Sequence, residues 1–363
     1  MILKTTFFYS VLILLPFLIM EGVFRLLPVS NPPYILAVSS ENPVAHFQPN
    51  VDYLYSSGWN FSIRANKRSN NYGYINLSDY HPEDATPLLM VIGDSFVESH
   101  SIDAGKSAAE ILNAAVDGKG RVYSIGLSGA PLSQYLVFAE FSRTTFRPNA
   151  MVFVIIGNDF DESLLKYNFD PRFHYFEENG DQFVLRRVDY EISTVKKILR
   201  NSAFVRYVWW NLEGGYIREN IHRLFCRSED AQACSGETPA ALDQRIEDSK
   251  RAVDNFFDQV PIKTKLDSRS VVFLLDAVRP AMYSSEALLK AENSYVAQMR
   301  RYFMKQASSR GYEVIDMQPA FIRKHQLDNS RFEFSTDGHW NELGNKIVAE
   351  EIRNSAVFTR VFQ

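Results

Sequence analysis

The sequence predicts an α/β fold organised on a mainly parallel sheet, and three observations carry that prediction. Apolar runs at Leu88–Ile92, Arg121–Ile125 and Ala150–Ile156 each stop at a glycine turn: Gly93-Asp94-Ser95, Gly126-Leu127-Ser128-Gly129 and Gly157-Asn158-Asp159. Helical periodicity fills the intervals, over Ala104–Val116 and from Pro131 through Phe141. Two more short runs, Ser270–Leu275 and Tyr312–Asp316, follow late in the chain. An apolar run bounded by turn residues reads as a buried strand, and strands alternating with helices imply parallel crossovers. The carboxyl ends of such strands lie along one edge of the sheet, where open α/β sheets carry their chemistry.

The chain has ample material for a large core: 363 residues, 46% of them hydrophobic and 13% aromatic. With 39 basic against 43 acidic residues and a net charge of -4, it has no overall attraction for nucleic acid.

At the amino terminus, Thr5–Met20 is uncharged and strongly apolar, follows Lys4, and extends through Gly22-Val23-Phe24 if Glu21 sits near an interface. Its length approaches the ~20 residues that span a bilayer. A basic residue before the run keeps the amino terminus in the cytoplasm and sends the remainder across. Residues 19–25 lack the small-residue pattern of a cleavage site. Residues 1–27 are therefore expected to be an uncleaved signal anchor, in the membrane through residues 5–27, with an inner-membrane-anchored, periplasmic or otherwise extracytoplasmic body. A buried amino-terminal helix is the alternative.

Residues 28–87, with Asn31-Pro32-Pro33 and the turn Asn70–Tyr74, read as a linker and a peripheral layer carrying short strands such as Phe61–Ile63. The core is expected over 88–159 and again over 266–363. Between them, 160–265 reads as an insertion that caps the site. It holds a hairpin about Asn179-Gly180, a helical stretch Tyr190–Trp210 and a helix Pro239–Gln259. Cys226 and Cys234 lie close together in a polar segment of it, without the second pair that zinc spacing needs. A local disulfide is expected if the compartment is oxidising; two thiols without a role are the alternative. In the resumed core, one helix is expected over Glu286–Arg310, then a polar loop, the segment Ser335–Asn341, and a last helix over Glu342–Ser355.

The residue types at these junctions suit acyl transfer. Ser95 could attack an ester carbonyl, His339 could take the proton and return it to the leaving oxygen, and Asp337 could hold the imidazole in the useful tautomer. Backbone N–H groups of Ser95 and Gly129, with the Asn158 amide, could form the oxyanion hole. Glycine at 129 would let the backbone approach a substrate closely, since it has no Cβ. His100 and His325 are rival bases, and Asp159 or Asp276 could orient His339 in place of Asp337. Trp340 reads as packing the histidine segment against the sheet, with sugar stacking as the alternative, and Arg279 as half of a surface salt bridge, with contact to an anionic substrate as the alternative.

Together these segments resemble the SGNH hydrolases, the GDSL-type esterases and lipases. The matching blocks are Gly93-Asp94-Ser95-Phe96, Ser124–Gly129, Gly157-Asn158-Asp159 and Asp337-Gly338-His339. The resemblance implies a three-layer α/β/α sandwich of flavodoxin-like type, Ser95 as nucleophile, Gly129 and Asn158 as oxyanion donors, Asp337 and His339 as the rest of a triad, and no metal or organic cofactor. Two positions depart from the pattern: Ser124 stands where the family has Asn, and the last block is Asp-X-His rather than Asp-X-X-His. The latter, followed by Trp340, is similar to the Asp-X-His-Trp signature of envelope polysaccharide acetylation proteins related to alginate acetyltransferases.

The expected function is thus a membrane-anchored serine esterase or O-acyltransferase. It would act on acyl groups, acetyl foremost, of a cell-envelope or exported glycan, with a membrane-embedded acyl-transfer partner in the transfer case. The alternatives are a non-catalytic glycan-binding or assembly subunit on the same core, and a lipase or lysophospholipase.

Overall fold

The computed structural model describes residues 2–180, 182–212 and 238–363; the side chains of 2–11 and 13 are outside the description, as are Cys226 and Cys234 with the expected disulfide. Its centre is a five-stranded sheet of β3 (Leu88–Gly93), β4 (Arg121–Gly126), β5 (Ala150–Ile155), β8 (Val271–Leu275) and β9 (Glu313–Asp316), in the order β4-β3-β5-β8-β9. Every pairing in it is parallel. The first strand of the core lies between the second and the third, so the order reverses at the end of β3, where doubly wound sheets open a crevice.

Alternation along the strands builds two apolar layers. Leu88, Met90 and Ile92 face one cluster with Phe153 and Phe273, closed by helices Leu132–Thr145, Pro239–Thr264 and Tyr295–Ser309. Leu89 and Val91 face the other with Val152 and Leu274, closed by helices Ala108–Ala115, Met317–Asp328, Glu342–Arg353 and Ala356–Phe362. The result is a three-layer sandwich. Helix Pro239–Thr264 presses Ala252, Val253, Phe256 and Phe257 onto the sheet, so it supplies the cover that the parallel β5-to-β8 crossover requires.

Helices end sooner than periodicity suggests, because serine and asparagine side chains cap internal starts. The stretch expected as one helix over Glu286–Arg310 is two, Ser285–Ala291 and Tyr295–Ser309, with Ser294 accepting from the Ala297 N–H at the second start. Tyr190–Trp210 likewise divides into α6 (Thr194–Leu199), α7 (Ala203–Arg206) and a π-turn Tyr207–Asn211, with Ser193 and Ser202 as caps. The polar loop expected after β9 contains helix Met317–Asp328, and the last helix ends at Arg353, before a short Ala356–Phe362 helix capped by Ser355.

Outside the sandwich, the hairpin β1 (Val51–Ser57) and β2 (Ile63–Ser69) forms its own two-stranded sheet. A second hairpin, Tyr175–Asn179 with Gln182–Arg186, turns at Asn179-Gly180 as expected, with Gly180 at φ 63°. At the amino terminus, α1 (Ile2–Leu26) is a single helix with Pro16 inside it. Leu12, Leu14, Leu15, Phe17, Leu18 and Ile19 of α1 are all more than half exposed. Among the described residues no helix is long and apolar enough to cross a membrane, so the anchor remains a proposal.

Candidate active site

Ser95 follows β3 on a tight turn. Asp94 caps the short helix Ser95–Glu98 by accepting from the Phe96 N–H at 2.9 Å, which fixes Ser95 as the first helical residue. The adjacent end of β4 must pass hard against this turn: a Cβ on Gly126 would lie 2.7 Å from both Asp94 O and Glu98 N. Glycine there is a packing requirement. Gly129 is different, because a Cβ would meet nothing nearer than 3.9 Å; its φ of 82° is what calls for glycine.

The histidine arrives on the loop before helix Glu342–Arg353. His339 Nε2 lies 2.7 Å from Ser95 Oγ, and its Nδ1 lies 2.5 Å from Asp337 Oδ1. The two-residue spacing works because the chain bends: Asp337 Oδ1 also accepts the His339 backbone N–H at 3.0 Å, an Asx-type turn. Asp337 Oδ2 accepts from the Ser101 hydroxyl. Asp159 and Asp276, the alternative orienters, are elsewhere. Asp159 accepts from Tyr135 and the Ile156 N–H, while Asp276 accepts from Trp340 Nε1 at 2.9 Å and pairs with Arg279.

Arg279 is therefore no surface residue. Its side chain is 7% exposed, grips Asp276 along one edge, and donates to Gly338 O at 2.8 Å. Trp340, 2% exposed, packs beneath the loop as expected. Together, Asp276, Arg279 and Trp340 hold the segment that presents His339. Ser124, too, is structural: its hydroxyl accepts from Asn76, and its backbone pairs with the Tyr80 hydroxyl.

Of the rival bases, His325 hydrogen-bonds Ser330 O and packs edge-on against Tyr283, away from Ser95. His100 is a neighbour the sequence did not place, its ring centroid 4.3 Å from that of His339 and 4.8 Å from that of Tyr55. Burial depresses its pKa to about 3, with the charge of His339 adding to the effect, so it stands beside the relay as a neutral ring. It shares the Ser128 hydroxyl with Glu98, whose carboxylate also accepts the Ser128 N–H at 2.6 Å. Lys67, buried, donates to Ser99 O and Ile102 O at 2.8 Å each and so pins the loop that carries His100 and Ser101. Its only signal in the sequence was the alternation of β2.

Electrostatics favour a proton-accepting pair. Burial opposes charge on His339, but the hydrogen bond and charge of Asp337, with the charges of Asp94 and Glu98, outweigh it and raise the imidazole above its ordinary value. Burial also works against the Asp337 carboxylate, yet its bond to His339, the nearby imidazoles and Ser101 hold it well below the usual range. Beneath Ser95, Asp94 and Asp159 are both raised, first by burial, and in the case of Asp159 also by the other's charge. An ionised Asp337, a basic His339 and a serine hydroxyl in line can move a proton from Ser95 Oγ as it attacks.

The oxyanion side is less uniform. The Ser95 and Gly129 N–H groups have no internal acceptor among the described residues. The Asn158 side chain is exposed, and its amide donates to Glu162 Oε2 at 2.9 Å. His100, Asp337 and His339 also bring atoms of metal-ligand type within 4.8 Å of one another, but Asp337 and His339 already use theirs in the proton relay.

Beside the relay opens a cavity of about 690 Å³ whose lining includes Glu98, His100 and Ser128. The rest of its walls come from outside the sandwich: Pro32, Tyr53 and Tyr55 from the amino-terminal layer, and Phe169, Arg172, Tyr190, Lys196, Trp209 and Trp210 from the stretch between β5 and helix Pro239–Thr264.

No family model matches the sequence, and no curated protein matches it. Among solved structures, the chain is similar to phospholipase A1 from Streptomyces albidoflavus at 13% identity, covering 74% of this chain and 99% of that one with a TM-score of 0.40. A lipase/acylhydrolase from Enterococcus faecalis is similar at 10% identity, over 74% and 93% of the two chains, with a TM-score of 0.38. The acetyl xylan esterase AlAXEase is similar at 13% identity, over 73% and 97%, with a TM-score of 0.36. At such values the chemistry rests on this chain's own residues.

Proposed function

We propose that the protein is a serine esterase of the SGNH type that removes or transfers O-acyl groups, acetyl foremost, through an acyl-serine intermediate. The observation that carries the reading is the line Ser95 Oγ, His339 Nε2, His339 Nδ1, Asp337 Oδ1, with separations of 2.7 and 2.5 Å across its two gaps. Ser95 Oγ attacks the ester carbonyl as its proton passes to His339 Nε2, giving a tetrahedral oxyanion. The Ser95 and Gly129 N–H groups receive that charge, joined by Asn158 once its amide leaves Glu162. Collapse expels the alkoxide, which takes the proton from His339. Water or an acceptor hydroxyl, deprotonated by the same imidazole, then releases the acyl group from Ser95.

The substrate we assign is an acylated cell-envelope or exported glycan, with the body of the protein held outside the cytoplasm by residues 5–27. The apolar run after Lys4, the Asp337-Gly338-His339-Trp340 segment and an aromatic-walled cavity of about 690 Å³ support it. The test is turnover of a chromogenic acetyl ester by the full chain and by Ser95→Ala; equal rates would remove Ser95 from the mechanism. A second reading, a lipase or lysophospholipase, draws on the apolar stretches of the cavity wall, and a preference for long acyl esters over acetate would select it.

A further inference from the structure

Outside the site, the inserted region carries an apolar surface with no partner among the described residues. On α6, Val195, Ile198 and Leu199 recur at the spacing of one helical face and are 65%, 64% and 48% exposed. Beyond α7, Val208 and Trp209 of the π-turn are 45% and 65% exposed. Cations stand among them. Lys196 makes no ion pair among the described residues, Lys197 meets Glu191 at 3.2 Å, and Arg200 lies over the Trp210 ring at 4.9 Å. Exposed aliphatic residues and interleaved lysines on α6, with a tryptophan on the nearby π-turn, are the composition of a surface that lies in a headgroup layer.

The position of this surface is set by α1. Glu21 of α1 accepts from Ser202 Oγ and from the Ala203 and Phe204 N–H groups at the start of α7. Phe24 stacks on Tyr207 at 4.2 Å between ring centroids, and Arg25 donates to Asn201 O. The residues that grip α1 thus run from Asn201, just after α6, to Tyr207 at the start of the π-turn, so the patch lies where the exposed apolar helix leaves the body. Lys196, Leu199, Arg200 and Trp209 also line the cavity that leads to His100.

We propose that α6 and the π-turn form a second membrane contact, a platform that rests on an anionic lipid surface beside α1 and turns the cavity mouth toward it. The proposal rests on the anchor reading for its geometry. Charge complementarity favours lipid over a protein occupant: the cations around the apolar face match phosphate headgroups, and the face continues the apolar surface of α1.

The experiment uses the full chain reconstituted in phosphatidylcholine vesicles, with and without phosphatidylglycerol, whose acyl chains carry bromine as a contact quencher of tryptophan. Brominated lipid is expected to quench the wild type more than Trp209→Phe, with a difference about twofold larger in the anionic vesicles, and Lys196→Glu with Lys197→Glu should abolish that enhancement. Equal quenching of the wild type and Trp209→Phe overturns the platform. So does a Trp209 shielded from both lipid and an aqueous quencher, the signature of a protein partner or a second copy. Phe17→Trp in the Trp209→Phe background reports α1 separately. Quenching there without quenching at Trp209 sinks the platform and leaves the anchor, whereas quenching at Trp209 alone supports the platform and sinks the anchor.

Discussion

The sandwich and the layer over its carboxyl edge solve different problems with different residues. Inside the sandwich, strands such as β3 and β5 are wholly buried, and the turn at their ends leaves no slack, with Gly126 against the Asp94 carbonyl. In the outer layer the cavity walls are aromatic and cationic side chains on a hairpin strand, short helical turns and loops, among them Tyr55, Tyr190, Lys196 and Trp209. The rigid region fixes reacting atoms to a fraction of an ångström, which proton transfer demands. The outer layer, which walls the cavity beside them, sets what reaches them. Changes in the first should therefore cost turnover on every ester, and changes in the second should discriminate among esters.

The largest effect is expected from His339→Ala, a loss of about 10³-fold or more in kcat/KM for small and large esters alike, measured with chromogenic esters of increasing size. Asp337→Asn should cost about 10³-fold and carry a second signature. The base must be neutral to act, and Asp337 raises the His339 pKa. The acid limb of the wild-type pH profile should thus lie above that of an ordinary imidazole, and in Asp337→Asn it should move to lower pH. An unmoved limb would assign the titration to another group. Removing the Asn158 amide by Asn158→Ala is expected to lower kcat about 10²-fold with little change in KM, the mark of a group that meets the substrate only in the transition state.

Trp340→Phe tests the support under the histidine loop. It takes the indole donor from the buried Asp276 carboxylate, and a loss of about 1–3 kcal/mol is expected in denaturant unfolding. In the outer layer, Tyr55→Ala should raise KM for a bulky acylated glycan by about fivefold, roughly 1 kcal/mol, and leave a small acetyl ester unaffected. If it slowed the small ester as much as Asp337→Asn does, the division between the two regions would fail.

Much of the sandwich was legible because its rule is local. Leu88–Ile92 and Ala150–Ile156 are bounded by glycine turns, and burial of both sheet faces leaves such strands continuous in apolar residues. The breaks at Ser294 and Ser202 were harder to see, since apolar periodicity runs through them and only the capping bonds reveal the interruption. Arg279 differs from its expectation for a related reason: a charged side chain is usually exposed unless its partners are buried with it, and although Asp276 is three residues away, Glu333 and Gly338 belong to a single segment 54 and 59 residues further along the chain. His100 is legible only as a rival base and Lys67 only as an inward position of β2, because what each does depends on contacts with distant segments.

The sequence by itself determined the order of strands and turns, the serine, glycine and asparagine at three strand ends, and a histidine ahead of the last helices. Those are properties of short stretches, set by backbone preference and side-chain period. Only the tertiary structure decided which acid meets His339. Asp337, Asp159 and Asp276 are alike in composition, and what separates them is a bend between 337 and 339, a tyrosine and a backbone amide claiming Asp159, and a tryptophan and an arginine claiming Asp276. A carboxylate's role follows from which donors reach it first, and that is a matter of packing.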